Sequence, residues 1–149
     1  MGGYHTVVVG TDGSETSLRA VDRAASLASD AGARLVIACA YVPAQNRDVT
    51  AAQDVLGSEA YQVVGSAPAE DTVSRARDRA VAQGATGIET VVAQGKPADT
   101  LAKVVKEHGA DLLVVGNRGL NTLAGRIIGS VPLDVARHTP TDVLIVHTT

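Results

Sequence analysis

A run of aliphatic residues that ends in a glycine-rich segment constrains the fold of this chain more than any other feature. Residues 112–115 (LLVV) contain no polar side chain, and glycines follow at positions 116, 119, 125 and 129. Short apolar runs without alternation are typical of strands covered on both faces, as in parallel sheets. The sequence therefore predicts a buried parallel strand whose carboxyl end opens into a glycine-rich loop.

The end of the glycine-rich segment has the pattern of a helix start. Residues 129–132 (GSVP) place a serine, which is a good N-cap residue, two positions before a proline, which the first helical turn tolerates. A helix N-terminus presents unpaired backbone N–H groups and the positive end of the helix dipole, and both favour anions. We therefore expect a phosphate group to bind where this loop meets the helix.

Strand and helix patterns alternate along the whole chain. The predicted strands are residues 6–10, 35–42, 88–93, 112–115 and 142–147, and the predicted helices are 15–31, 69–83, 98–108 and one that ends near 138. The second helix carries an apolar stripe of Val73, Ala76, Ala80 and Val81. This alternation predicts an α/β fold, a doubly wound, five-stranded parallel sheet with helices on both faces. Residues 43–68 have no clear pattern.

The spacing of the glycines resembles a known nucleotide-binding signature. Gly116, Gly119 and Gly129, followed by Ser130, form the pattern G-x2-G-x9-G-S. This pattern resembles the signature of the universal stress protein family, in the branch that binds ATP. Residues 6–14 (TVVVGTDGS), 95–98 (GKPA) and 142–147 (DVLIVH) also resemble that family's opening strand and turn, a strand exit and the closing strand. The resemblance covers essentially the whole chain and implies the strand order 3-2-1-4-5.

That strand order predicts a single nucleotide-binding cleft. The first and fourth strands would lie side by side at the sheet centre, where the connections leave in opposite directions and a crevice opens at the carboxyl ends of the strands. The turn at residues 10–14 and the loop at 116–130 follow these two strands. We expect them to face each other across the cleft.

The resemblance also implies roles for individual residues. Backbone N–H groups at positions 119 and 129–131 would hold phosphates, because glycine lets the backbone approach closely, although these glycines could instead only make a flexible loop. Asp12 would contact ribose hydroxyls or a phosphate-bound Mg²⁺, or serve only as a turn or cap residue. The backbone of Ala40 would meet the base edge. Asn117 stands where relatives often carry serine. The predicted nucleotide-binding residues are Gly10, Thr11, Asp12, Ala40, Gly116, Arg118, Gly119, Arg126, Gly129, Ser130 and Val131.

The two loop arginines have two possible roles. A guanidinium at position 118 or 126 matches phosphate oxygens bidentately, but a solvated surface arginine is the more common case.

We expect an adenine-nucleotide-binding regulatory protein that senses or sequesters ATP, AMP or cyclic AMP, with at most slow ATP hydrolysis. One alternative is an ATPase or nucleotidyl-transfer enzyme, but the turn at residues 10–14 (GTDGS) lacks the S-G-G-x-D-S pattern of adenylating folds. Walker A, G-x-S-x-G and G-x-G-x-x-G motifs are also absent from the sequence. The other alternative is a dimeric interaction module without nucleotide, against which the intact glycine set argues.

Composition and charge limit the partners and the location. The net charge of −3, with both signs interspersed, argues against nucleic-acid binding. No apolar stretch approaches the roughly 20 residues that span a bilayer, so we expect a cytoplasmic protein without a membrane segment. A length of 149 residues fits a single domain over residues 1–149. The four histidines lack metal-ligand spacing, and Cys39 lies in an apolar run where we expect it to be buried.

The closing strand predicts a homodimer. Val143-Leu144-Ile145-Val146 would form an apolar strand at the sheet edge, and exposed edges of this kind are normally covered or paired. Antiparallel pairing of two copies through this strand would satisfy the edge with two-fold symmetry.

Overall fold

The computed structural model describes residues 3–43, 63–117, 137 and 139–148. In chain order its elements are β1 (Thr6–Gly10), α1 (Glu15–Ala31), β2 (Arg34–Val42), β3 (Val63–Val64), α2 (Ser66–Ala82), β4 (Ile88–Gln94), α3 (Pro97–His108), β5 (Leu112–Gly116) and β6 (Asp142–Val146). The predicted phosphate loop after residue 117 and the last predicted helix lie outside the described residues, apart from isolated positions.

The strands form one parallel sheet with β1 at its centre. β1 pairs with β2 on one side and with β5 on the other, while β4 lies beside β2 and β6 beside β5. The predicted order of the five long strands is therefore confirmed. A sixth strand, β3, pairs its two residues with Tyr41 and Val42 at the end of β2. It is missing from the sequence prediction because two residues carry no periodicity.

Helices cover both faces of this sheet. Val7, Val9 and Leu112 of the central strands point into the layer formed with α1 and α2, whereas Val8 and Leu113 point toward α3. Successive side chains of a strand point to opposite faces, so burial of both faces requires continuous apolar runs. β5 meets this requirement, since its first four residues are all buried. The prediction of a strand covered on both faces is confirmed.

The helix ends follow their sequence signals. The Ser14 side chain caps α1 by accepting the N–H of Ser17, with Oγ and N 3.2 Å apart. Gly32 and Gly109 end α1 and α3 in the left-handed conformation, with φ of 66° and 62°. In the described part of the chain no helix is long and apolar enough to cross a membrane.

The prediction that Val81 belongs to the buried apolar stripe of α2 is wrong. Val73, Ala76 and Ala80 are buried as expected, but Val81 is 57% exposed. The first three follow three- and four-residue spacing on one helix face, whereas Val81 is turned about 100° away from Ala80 around the helix axis. Val81 therefore faces solvent.

Candidate functional site

Five of the predicted site residues gather at the edge of the sheet where the strands have their carboxyl ends. Gly10, Thr11 and Asp12 lie at and beyond the end of β1, Ala40 lies near the end of β2, and Gly116 ends β5. Neighbouring strands are about 5 Å apart, so the ends of β1 and β5 lie close together. The chain continues from β1 toward β2 and from β5 toward β6, in opposite directions. This is a topological switch point, where ligands bind in open α/β sheets.

The remaining predicted site residues cannot be placed in this geometry. They lie outside the described residues and comprise Arg118, Gly119, Arg126, Gly129, Ser130 and Val131.

The turn between β1 and α1 is fixed by its own polar groups. Thr11 Oγ1 accepts the N–H of Gly13 at 3.1 Å and lies 2.8 Å from Ser17 Oγ. The N–H of Asp12 donates to the same serine oxygen, while Asp12 Oδ1 accepts the N–H of Ser14 at 2.9 Å. Asp12 therefore acts as a turn residue, the more ordinary of its two predicted roles. The predicted contact of its carboxylate with a nucleotide stays a prediction.

Two of the predicted glycine positions differ in the space around them. A Cβ at Gly10 would lie 2.8 Å from Cδ1 of Leu101, so α3 packs against the end of β1 too closely for a side chain. At Gly116 the nearest atoms to a Cβ are those of Thr148 at 3.5 Å, which is ordinary contact. Packing alone therefore explains glycine at position 10 and does not explain it at position 116.

Ala40 lies where β2 changes its partner. The pairing of β1 with β2 ends at Gly10 and Ala38, where the N–H of Thr11 donates to the Ala38 carbonyl at 3.0 Å. The pairing of β2 with β3 begins one residue beyond Ala40, at Tyr41. Backbone groups of alternate residues in a strand point to the same side, so those of Ala40 face the junction between β1 and β3. The junction begins where Thr11, the first residue of the turn, leaves β2 after its hydrogen bond with Ala38.

Asn117, the first residue beyond β5, is the centre of a network that sequence analysis undervalued. It is only 7% exposed. Its Oδ1 accepts the N–H of Thr148 at 2.8 Å and the Thr148 hydroxyl at 3.0 Å, while its Nδ2 lies 3.0 Å from Nδ1 of His147. Its own N–H donates to the carbonyl of Val146 at 2.9 Å. The hydrogen bonds of Asn117 therefore connect the end of β5 to the last residue of β6 and the two residues that follow it.

Cys39 is a buried, unreactive cysteine near the carboxyl end of β2. Burial raises the pKa of its thiol to about 12, and the negative charge of Asp12 acts in the same direction. Because this pKa lies far above neutral pH, the thiol of Cys39 stays protonated. Only a thiolate is a good nucleophile or metal ligand, so the side chain is unreactive. Its predicted burial is confirmed, with an exposed fraction of 1%. Over the described ranges no three side chains of His, Cys, Asp or Glu group as a metal site would require.

The sequence pattern predicts no site role for Ser17, Asn117 or Thr148. The partners of Asn117 lie 30 and 31 residues away in sequence, so no local pattern reveals them. A usable signal was still present, because an amide side chain directly after a buried central strand lies at the edge where such folds bind ligands.

Comparison with known proteins agrees with this architecture. A family model described as the universal stress protein family matches residues 3–147. Universal stress protein Rv1636 of Mycobacterium tuberculosis (strain H37Rv) is 53% identical over 149 residues, covering 100% of both chains. The crystal structure of that Rv1636 protein superposes with a TM-score of 0.64 at 44% identity, covering 100% of this chain and 99% of the other.

A second solved structure is closer in shape. It is a universal stress protein crystallised in complex with cAMP, with a TM-score of 0.78, 49% identity and coverage of 99% of each chain. The fold, the family match and the extent of these similarities lead to one conclusion: the chain belongs to the universal stress protein family.

Proposed function

We propose that this protein binds an adenine nucleotide at the carboxyl edge of its sheet and acts as a sensor or buffer of that nucleotide. The observation that carries the proposal is the switch point itself, where the Thr11–Asp12 turn and the exit of β5 at Asn117 lie beside each other on the two central strands. Asn117 itself is the second residue of the glycine signature, which begins at Gly116. The 49% identical protein that was crystallised with cAMP supports cyclic AMP as the first candidate.

The phosphate would bind on the β5 side of the cleft. Backbone N–H groups at Gly119, Gly129, Ser130 and Val131 would donate to its oxygens, with the Ser130 hydroxyl as a further donor. The guanidinium groups of Arg118 and Arg126 supply positive charge in the same segment. An amide cradle accepts one phosphate or three, so ATP and AMP remain candidates alongside cyclic AMP.

The sugar and base would bind on the β1 and β2 side. The Asp12 carboxylate lies beyond the end of β1, where it would accept hydrogen bonds from a ribose hydroxyl, or contact Mg²⁺ on the phosphates of ATP. The backbone of Ala40 faces the junction between β1 and β3 and would form hydrogen bonds with the edge of adenine. Guanine presents a reversed donor and acceptor pattern at that edge, so we expect discrimination against it.

The direct test is calorimetric titration of ligand-stripped protein with cyclic AMP, AMP and ATP, each with and without Mg²⁺, and with cyclic GMP as the base control. We expect saturable binding of at least one adenine nucleotide and markedly weaker binding of cyclic GMP. The variant Gly129→Val should abolish binding, because a β-branched side chain keeps the backbone from the phosphate. Gly125→Val, which changes a glycine at one of the variable positions of the signature, is the matched control and should bind as the wild type does.

Two results would overturn the proposal. Absence of binding for all three adenine nucleotides would favour the dimeric interaction module, and equal loss of affinity in both glycine variants would show that the signature spacing has no special role. Rapid phosphate release from ATP would instead favour the enzyme alternative.

We also infer that the protein forms a homodimer through β6. This strand ends the described sheet, pairs with β5 on one side, and carries Ile145, which is 40% exposed. An apolar strand edge of this kind favours pairing with a second copy. We expect Ile145→Lys to convert the dimer to a monomer in sedimentation velocity, whereas Val81→Lys, at the exposed position on α2, should leave the dimer intact. A monomeric wild-type protein would contradict the inference.

A further inference from the structure

The side chain of Asn117 connects two segments that both leave the carboxyl edge of the sheet. On one side it is the first residue after β5 and the second residue of the glycine signature, which begins at Gly116. On the other side it contacts His147 and Thr148, which follow β6. The carbonyl of Thr148 in turn accepts a hydrogen bond from Nη1 of Arg19 at 2.9 Å. Arg19 lies in α1, the helix that follows the Thr11–Asp12 turn, so this network reaches both sides of the cleft.

The orientation of the Asn117 amide follows from its partners. The backbone N–H of Thr148 can only donate, so the atom of Asn117 that faces it at 2.8 Å is the carbonyl oxygen. The amide nitrogen therefore faces Nδ1 of His147 at 3.0 Å. A primary amide nitrogen only donates, and the hydrogen bond consequently requires Nδ1 to be the unprotonated nitrogen of the imidazole. The N–H of Thr148 thus fixes the orientation of the amide, and that orientation in turn fixes the histidine tautomer.

We propose that Asn117 is a positioning residue for the nucleotide site, and that it holds the exit of β5 fully only while Nδ1 of His147 is unprotonated. This inference rests on the proposed function, because it concerns the affinity of the same site. The Asn117 side chain sets where the chain leaves the sheet before position 118. Loss of its contacts lets that point move relative to the Thr11–Asp12 turn, and misplaced phosphate donors bind more weakly.

Acidification acts on the hydrogen bond between Asn117 and His147. When Nδ1 of His147 gains a proton, two donors face each other and the hydrogen bond with Asn117 is lost. Among the described residues, the Arg19 guanidinium of α1 donates to the carbonyl of Thr148, the residue after His147, and its positive charge disfavours an imidazolium. β5 contributes no ionisable side chain, and Asp142 lies at the far end of β6. Nucleotide affinity should therefore fall when Nδ1 of His147 gains a proton on acidification.

The test measures cyclic AMP affinity of the full chain by calorimetry at several pH values from 8 to 5. Cyclic AMP is the suitable probe because its phosphodiester keeps one negative charge over this range. We expect Asn117→Ala to bind about tenfold more weakly at pH 8, since it loses its side-chain hydrogen bonds to Thr148 and His147. The wild type should lose about fivefold in affinity on acidification, which corresponds to one hydrogen bond.

A matched variant separates titration from structure. His147→Asn keeps an acceptor oxygen where Nδ1 lies but cannot titrate, so it should bind as the wild type does at pH 8 and keep that affinity at pH 5. His108→Asn changes a histidine at the end of α3, near the opposite edge of the sheet, and should retain the wild-type pH profile. A merely structural role for Asn117 would not predict the difference between these two variants.

Failure of this inference can be told apart from failure of the proposed function. If the wild type binds no adenine nucleotide, the proposed function fails; ¹⁵N chemical shifts of the His147 ring and exchange of the Thr148 amide then test the network alone. Unprotonated Nδ1 at pH 8 and faster Thr148 exchange in Asn117→Ala would support the network, and the opposite results would overturn it. If the wild type does bind while Asn117→Ala matches it and His147→Asn titrates like it, the inference is wrong and the proposed function stands.

Discussion

The two ends of the sheet are built by different chemistry. At the amino edge a charged group fastens the central strands, because the Asp111 carboxylate accepts the N–H groups of His5 and Thr6 at 3.0 to 3.1 Å. At the carboxyl edge neutral groups hold the end of β5, since the described contacts of the Asn117 side chain are with a hydroxyl, a backbone N–H and an imidazole. The Asp12 carboxylate of that edge lies in the turn after β1, where it accepts the N–H of Ser14. The amino edge aligns the strands, and the carboxyl edge keeps the backbone of two strand exits in place.

This difference suits a ligand at one end only. A fixed carboxylate at the end of β5 would repel a phosphate, whereas neutral hydrogen bonds hold the backbone there without adding negative charge. The Asp12 carboxylate lies on the β1 side, where the sugar is proposed to bind. Asp111 lies at the edge away from the proposed phosphate position, directly before β5. Stability and binding should therefore respond to different substitutions.

The largest expected effect is on stability at the amino edge. Asp111→Ala should lower the free energy of unfolding by about 2 kcal/mol at neutral pH, because backbone N–H groups of β1 lose a charged acceptor. Urea denaturation measures this change, and Glu107→Ala, which removes an exposed carboxylate from α3, is the matched control. Nucleotide affinity should stay within twofold of the wild type; a large loss of affinity would mean that the two edges are not separate.

The same carboxylate predicts a pH dependence. Burial raises the pKa of Asp111, but the N–H donors of Thr6 and His5 outweigh it, so the folded-state pKa lies below the ordinary value. A group with a lowered pKa contributes stability above its unfolded pKa, near 3.9, and that contribution is lost as pH falls through the folded value. Below about pH 4 the wild type should therefore lose stability more steeply than Asp111→Asn. Parallel curves would contradict this account.

A smaller effect separates two glycines within the carboxyl edge. Gly10→Ala should cost about 1 kcal/mol of stability, because its Cβ would approach Leu101 to 2.8 Å. Gly116→Ala, the same change at the end of the neighbouring strand, should cost less than about 0.5 kcal/mol because its Cβ has room. Thermal unfolding of both variants tests this difference. Adding Leu101→Val, which shortens the side chain that the new Cβ meets, should restore part of the stability lost in Gly10→Ala. The same addition should not stabilise Gly116→Ala.

The smallest effect concerns exposed charges at the amino edge. Glu89 lies 3.7 Å from Arg34 and 3.2 Å from Nε2 of His108, with its side chain half exposed. Solvent screens such pairs, so Glu89→Gln should change stability by less than about 0.5 kcal/mol, and the change should shrink further in high salt. A loss of unfolding free energy as large as that of Asp111→Ala would show that the exposed ion pairs stabilise the amino edge as much as Asp111 does.

The parts of the fold that were predictable from sequence are those fixed by periodicity and local end signals. Residues 112–115 indicated a strand buried on both faces because a parallel sheet requires continuous apolar runs, and all four are buried. Ser14 and Gly32 marked the ends of α1 because capping depends on neighbouring residues. In these elements the residue pattern that favours the local structure is also the pattern that the packed sheet and helices require.

The errors and omissions have equally physical origins. Val81 looked like a core residue because its type is apolar, although its angular position on α2 exposes it. The two-residue strand β3 is held by its pairing with β2, which no local pattern encodes. Asn117 resembled a minor substitution, yet its bonds to His147 and Thr148 arise only when β5 and β6 are adjacent. Contacts between distant segments are thus the part of the site that sequence analysis undervalues.

The most direct test of the central claim, that the carboxyl edge of the sheet is the ligand-binding edge, is titration of ¹⁵N-labelled protein with cyclic AMP followed by amide chemical shifts. The amides of Thr11, Asp12, Ala40 and Asn117 should shift in a saturable manner. Those of His5, Thr6 and Asp111, at the amino edge, should stay unchanged. Shifts confined to the amino edge, or no shifts at either edge with cyclic AMP, AMP and ATP, would contradict the account.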